Sequence, residues 1–205
     1  MSSVHQIFAE GLPAWEPLYR LEIRPEPWET ELFQSVPLRR LKHLQHYGAG
    51  AFISPVQHSR YEHTIGVWAL AKHFFPDWKE LHAAAILHDV GHLPYSHSME
   101  RRLGLNHHVS TVQAILSDPI AAILQKHGFS RQGLVDLLEQ DSPLTHRSDY
   151  MGLDHLDSFL RDTQVAGKGS LDPAKLIRRL RFRGTAWKPM RKPQSTCCML
   201  QSRIT

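Results

Sequence analysis

The sequence predicts an all-α fold, and three observations predict it. Apolar residues recur at helical spacing from Pro37 to Phe182, strand-type alternation is nearly absent, and glycines and prolines punctuate the chain at intervals that suit short helices. At 205 residues the chain is long enough to bury one ordinary core. It carries no internal repeat and no low-complexity block. The expected architecture is a compact helical bundle rather than a coiled coil.

The elements follow in order. Residues 1–36 form an arm, and its stretch GLPAWEPLYRLEIRPEPWETELFQSVP is rich in Pro, Trp and Glu, which suggests irregular chain with at most short strands. Leu38, Leu41 and Leu44 then fall at helical spacing until HYGAGAFISP breaks the pattern. RYEHTIGVWALAKHFF reads as a helix with Ile65, Ala69 and Leu70 inward. WKELHAAAILHDV is the next, ended by Gly91 and Pro94. HHVSTVQAILSD makes another, closed by Pro119, and IAAILQKHG and RQGLVDLLEQD are shorter ones. SDYMGLDHLDSFLRDTQVAG is strongly amphipathic with Gly167 as its stop, and DPAKLIRRLRF follows with Pro173 in its first turn. Residues 183–205 show neither period and read as a basic, non-globular tail.

Charge is uneven along the chain. Residues 168–205 hold ten Lys/Arg against one acid, Asp172, so the net +4 comes from this end and the rest is mildly acidic. Such a segment suits contact with nucleic acid or simple solvation. No apolar run is long enough to span a bilayer, and MSSVHQIFAEGLPAW lacks the order of a secretion signal, so a cytoplasmic protein with no membrane partner is expected. The only cysteines, Cys197 and Cys198, are adjacent and read as reduced thiols on the tail.

The chemistry is concentrated in two stretches, RYEHTIGV and LHDVGHLPYSH, which bring His63, His88, Asp89, His92 and His97 into short compass. His63 lies within one helix, and His88 and Asp89 end the next, where a glycine turn lets both face one point. A later helix offers a further carboxylate from Asp154 or Asp157. Imidazole and carboxylate are the ligand pair for Zn, Mn, Fe or Mg-type ions. The context AAAILHD strengthens the case: burying an unpaired aspartate costs several kcal/mol, and a cation compensates it.

These blocks carry a resemblance. QHSRYEHTIGV, AAAILHDVGHLPYSH and LDHLDSFLRD resemble the signature blocks of the HD-domain metal-dependent phosphohydrolases, nearest to the deoxynucleoside triphosphate triphosphohydrolase branch. The likeness runs from about Pro37 to Gly167, and implies an HD domain over residues 37–182. It implies metal ligands at His63, His88, Asp89 and Asp154, with Asp157, Arg161 and Asp162 as supporting partners on the same helix. Arg60, His92 and His97 are implied to hold substrate phosphate. His107, rather than His108, is implied as a general acid oriented by Glu100. Two departures touch substrate recognition: Arg39 stands where the branch has a glutamine that reads the sugar, and Ser158 where it has a tyrosine.

The expected activity is therefore metal-dependent hydrolysis of a phosphate ester or anhydride, plausibly of a nucleotide, with a divalent ion as cofactor. A phosphodiesterase or nucleotidase of the same superfamily is the alternative within the class. A non-catalytic nucleotide sensor, or a nucleic-acid-binding regulator acting through residues 168–205, is the alternative outside it. A homo-oligomer stays open.

Overall fold

A fifteen-residue helix, α3 (Arg60–Phe74), is buried on nearly every side and organises the molecule. In this computed structural model the described residues are 11–95, 100, 102–145, 151–183 and 186–189. Around α3 stand α1 (Pro27–Gln34), α2 (Val36–Arg40), α4 (Lys79–Leu87), α5 (His107–Leu116), α6 (Ile120–Lys126), α7 (Arg131–Glu139), α8 (Leu153–Val165) and α9 (Pro173–Ile177). Two 3-10 turns, Leu41–His43 and Gly48–Phe52, link α2 to α3. The all-α reading holds, and among the described residues the strands are confined to two small hairpins.

Helix α3 packs against α4 on one side and α8 on the other, α4 also meets α7, and α5 meets α6. The core lies along α3 and α4, where Ile65, Val67, Trp68, Leu70, Leu81, Ile86 and Leu87 are fully or almost fully buried. Such burial on all faces suits a helix whose residues are small or apolar around its whole circumference.

Residues 14–33 of the N-terminal arm contribute to that core, and where irregular chain with at most short strands was expected, Pro27–Gln34 form a helix, α1. Strands β1 (Ala14–Glu16) and β2 (Leu21–Ile23) pair antiparallel, and Trp28, Leu32 and Phe33 of α1 are buried with the α3 residues. Glu29, also fully buried, locks α1 to α3: its carboxylate accepts from Trp68 Nε1 at 2.9 Å and from Lys72 Nζ at 3.1 Å. A buried carboxylate is tolerated there because both oxygens are paired.

At the other end, the helix expected over DPAKLIRRLRF stops at Ile177. Residues Leu180–Arg183 (β3) instead pair antiparallel with Ala186–Pro189 (β4). Asp172 caps α9 by accepting from the Ala174 N–H, as Pro173 in the first turn foretold, but the helix is only five residues long. Cys197 and Cys198 lie outside the described residues. Among the described residues no helix is long and apolar enough to cross a membrane.

Candidate metal centre

Local sequence fixes the first donor. The Ser59 hydroxyl accepts from the Glu62 N–H at 3.2 Å, and the Glu62 carboxylate accepts from the Ser59 N–H at 2.7 Å. This reciprocal cap is the S-x-x-E pattern of SRYE, and it starts α3 at Arg60, placing Arg60 and His63 one turn apart on one face.

His63 is fully buried. Its Nδ1 lies 2.8 Å from Asp157 Oδ2, while Nε2 faces Asp154 Oδ1 at 3.0 Å, His88 Nε2 at 3.2 Å and Asp89 Oδ2 at 4.0 Å. His88 ends α4, and its Nδ1 donates to the Ala85 carbonyl at 2.8 Å, which turns its Nε2 lone pair inward. That nitrogen is 3.7 Å from Asp89 Oδ1 and 3.8 Å from Asp154 Oδ1. His63, His88 and Asp154 thus aim donor atoms at one point, and Asp89 borders it at 4.0 and 3.7 Å from the imidazoles of His63 and His88.

The turn carrying His88 and Asp89 presses directly on α5. The Gly91 N–H donates to Thr111 Oγ1 at 3.1 Å, and Thr111 Oγ1 in turn reaches the His88 carbonyl at 3.3 Å. A Cβ on Gly91 would collide with the α5 backbone at Ser110 and Thr111. Gly91→Ala should therefore cost about 1–3 kcal/mol and displace the His88–Asp89 turn. Unfolding midpoint and metal content, measured together, should both fall.

Helix α8 supplies the acidic wall. Asp154, Asp157 and Arg161 share a face at helical spacing, and the two aspartates divide the imidazole of His63 between its two nitrogens. Asp157 is fully buried, held bidentately by Arg161 (3.0 and 2.9 Å) and by the Tyr19 hydroxyl (2.7 Å). Arg161 also reaches Glu16 at 3.2 Å, so the N-terminal hairpin braces the partner of His63. Gly66 permits this closeness, since a Cβ there would strike the Asp157 carboxylate and the Arg161 guanidinium.

Electrostatics sharpen the arrangement. Burial alone would lower the pKa of His63, but hydrogen bonds and charge from Asp154 and Asp157 raise it to about 10. Asp154 is partly exposed; burial opposes its ionisation, yet His63 and His88 hold its pKa at about 2. Asp89 and Asp157 are likewise kept ionised against their burial, Asp89 by His88, Arg60 and His92, and Asp157 chiefly by Arg161. A cation binding at His63 Nε2 must displace a proton there, which couples affinity to pH.

The donor set is what a divalent ion needs. It offers two imidazole nitrogens and two ionised carboxylates, each His oriented through its other nitrogen by an acceptor. His63, His88 and Asp154 present atoms all within 4.8 Å of one another, close enough to share one ion.

Above this point opens a cleft of about 1170 Å³, lined by His88, Asp89, Asp154, Arg60, His92 and His107 among others. Arg60 is buried, with Nη1 2.6 Å from Asp89 Oδ2 and Nη2 donating to the His46 carbonyl at 3.2 Å. His92 Nε2 lies 3.2 Å from Asp89 Oδ1, and its ring stacks on that of His107 at 4.0 Å. His107 Nδ1 meets Glu100 Oε1 at 2.8 Å. Burial, with His92 and His108 nearby, lowers the pKa of His107 to about 4 although Glu100 pulls the other way. His97 lies outside the described residues. Ser158 lines the cleft; Arg39 is exposed and is not among the lining residues.

Sequence reasoning passed over His46, which also lines the cleft and packs its ring 4.4 Å from that of His63. The brace from Tyr19 and Glu16 was missed too, since contacts 138 and 145 residues apart leave no local pattern.

Comparisons with known proteins give the chain a family. The chain is 29% identical over 170 residues to a metal-dependent phosphohydrolase, cns2, of Cordyceps militaris, an overlap covering 78% of this chain and 47% of that protein. It is 26% identical over 187 residues to the deoxynucleoside triphosphate triphosphohydrolase SAMHD1 of Gallus gallus, covering 75% and 30% of the two. The chain thus spans less than half the length of either relative. A solved structure of a hypothetical protein from Aquifex aeolicus superposes with a TM-score of 0.71 and 25% identity, over 92% of this chain and 55% of that one. The HD domain family profile matches residues 60–162, from the arginine that opens α3 to the acidic face of α8. With the family's namesake His-Asp pair at the bottom of the cleft, the chain belongs to the HD domain family.

Proposed function

We propose that this chain is a metal-dependent phosphohydrolase that cleaves a phosphate ester or anhydride, with a nucleotide as substrate. The observation that carries the reading is the convergence of His63, His88, Asp89 and Asp154 below a cleft large enough for a nucleotide. These four would hold a divalent ion, which would supply a water of lowered pKa and a positive charge for the phosphate.

The chain's own residues do the rest. Arg60, already in contact with Asp89, offers a planar cationic donor to the phosphate oxygens, and His92 flanks it from the α4–α5 connection. His97, by the likeness of its motif, would join them. His107 would protonate the leaving oxygen, with Glu100 fixing its ring through Nδ1 and leaving Nε2 for the substrate. In the free protein His107 is neutral at pH 7; an anionic phosphate packed against the ring raises its pKa, so substrate and proton arrive together. Asp157 and Arg161 hold His63 in one orientation while the reaction proceeds.

Support for a nucleotide comes from two sources. The cleft adds the apolar Val109, Val112 and Leu138 and the ring of Tyr47 to its polar floor, surfaces suited to a base and sugar. The name of one relative specifies deoxynucleoside triphosphates. The test is a panel of nucleotides and generic phosphate esters assayed with Mn2+ or Mg2+, products resolved by chromatography. Tripolyphosphate release would identify a triphosphohydrolase; no release from any substrate would overturn the reading. His107→Ala should lower turnover by about 10²–10⁴-fold with metal content unchanged, and undiminished turnover would remove His107 from the mechanism.

A further inference from the structure

Beside the site just described lies a second set of donors that it does not use. His46 precedes the turn at Gly48–Phe52, His58 precedes α3 by two residues, and Asp162 sits in the last turns of α8. His58 Nδ1 and Nε2, His46 Nδ1 and Asp162 Oδ1 are all buried and have no hydrogen-bond partner among the described residues. The His58 side chain is only 4% exposed, and its Nε2 stands 3.6 Å from Asp162 Oδ1, too far for a hydrogen bond. The rings of His46 and His58 stack with centroids 4.8 Å apart. One donor atom from each of the three residues lies within 4.8 Å of the other two.

This is not loose packing. The segments bearing the two histidines are tied by a backbone bridge between Gln45 and Ser59, by the His46 N–H donating to the His58 carbonyl at 3.0 Å, and by the Arg60 N–H donating to the Leu44 carbonyl at 2.8 Å. The donors are therefore held in place by main chain, while four polar atoms among them go unpaired. An unpaired buried polar atom is costly, and one ion taking a single atom from each of the three residues would partner three of these four. Two imidazoles and one carboxylate are a metal-binding set.

We propose that His46, His58 and Asp162 form a second divalent-metal site next to the one at His63, His88, Asp89 and Asp154. Two imidazoles with a single carboxylate favour a borderline ion such as Zn2+, Co2+ or Fe2+ over Mg2+ or Ca2+. His46 and Asp162 line the same cleft, so a bound ion would keep open positions towards the substrate. His46 is the link between the sites, because it also comes within ligand distance of His63 and Asp89. The proposal concerns binding and stands whether or not the chain is a hydrolase.

The test is metal stoichiometry of the full chain, stripped with chelator, equilibrated with Zn2+ or Co2+, passed through gel filtration and measured by elemental analysis. The wild type should carry two ions, His58→Gln one, Asp162→Asn one and Asp154→Asn one, with the Asp154→Asn/Asp162→Asn pair carrying none. Asp162 is partly exposed, so its asparagine variant covers the case in which His58→Gln fails to fold. A single wild-type ion that is lost in Asp154→Asn and kept in Asp162→Asn would overturn this site and leave the first intact. A single ion with the opposite behaviour would support this site and overturn the first. Two ions retained by both His58→Gln and Asp162→Asn would also overturn it.

Discussion

Asp89→Asn should abolish metal binding at the His63, His88, Asp89 and Asp154 site, and with it phosphate release, while leaving the helical content in place. The substitution keeps the shape of the side chain and removes its charge. Asp89 has one oxygen 3.7 Å from His88 Nε2 and the other 2.6 Å from Arg60 Nη1, so the loss should be felt at the proposed ion site and at Arg60 together. Losing a residue that merely orients a ligand typically costs about 10–100-fold in metal affinity. Losing a ligand should cost more, and turnover should drop by at least about 10³-fold, above what removing one preorganised donor costs. Metal content after gel filtration, with phosphate release assayed on the same preparation, checks both. Asp154→Asn is the companion experiment. It removes a proposed ligand that is partly exposed, so it should reproduce the metal loss at that site with a smaller penalty in stability.

The largest expected effect on stability belongs to Asp157→Ala. Asp157 is fully buried and is the shared acceptor of Arg161, Tyr19 and His63. Among the described residues, its removal leaves Glu16, at 3.2 Å, as the carboxylate contact of the Arg161 guanidinium, and leaves His63 Nδ1 without its partner. Breaking a buried ion pair from one side costs about 3–5 kcal/mol, which for a chain of this length lowers the unfolding midpoint by roughly 6–20 °C. Thermal unfolding followed by circular dichroism measures it. The sign of the pH dependence follows from the depressed pKa of Asp157: its contribution is present above the unfolded carboxylate pKa and is lost only as pH falls towards the folded value. Wild type and Asp157→Ala should therefore converge in stability at strongly acidic pH and differ most near neutrality.

Contrast between these two aspartates also shows what sequence could and could not reveal. Helical spacing marked LDHLDSFLRD as an amphipathic segment, a local signal that survives into the structure; the S-x-x-E cap that starts α3 is another local signal, one that the reading by period did not use. Spacing alone left Asp154 and Asp157 equivalent, because both point from α8 towards the same imidazole. They differ in which nitrogen of His63 each meets, a fact set by the crossing of α3 and α8. Likeness of motif, not period, separated them. The arm before Pro37 looked irregular because its strands are three residues long, yet Tyr19 and Glu16 reach the centre of the molecule through partners far along the chain. His46 and His58 were visible as histidines, but their stacking depends on a single backbone bridge with no periodic trace. At the C-terminal end the helical pattern of DPAKLIRRLRF outlasted the helix. Leu180–Arg183 takes its conformation from pairing with Ala186–Pro189, a non-local preference that a helical window does not register.

The most direct measurement of the central claim is a crystal structure of the protein prepared with Mn2+, with anomalous difference density used to locate the ion. The account predicts a peak bonded at about 2.0–2.3 Å to His63 Nε2, His88 Nε2 and carboxylate oxygens of Asp89 and Asp154. Strong anomalous density elsewhere in the chain, with these four side chains coordinating nothing, would contradict it.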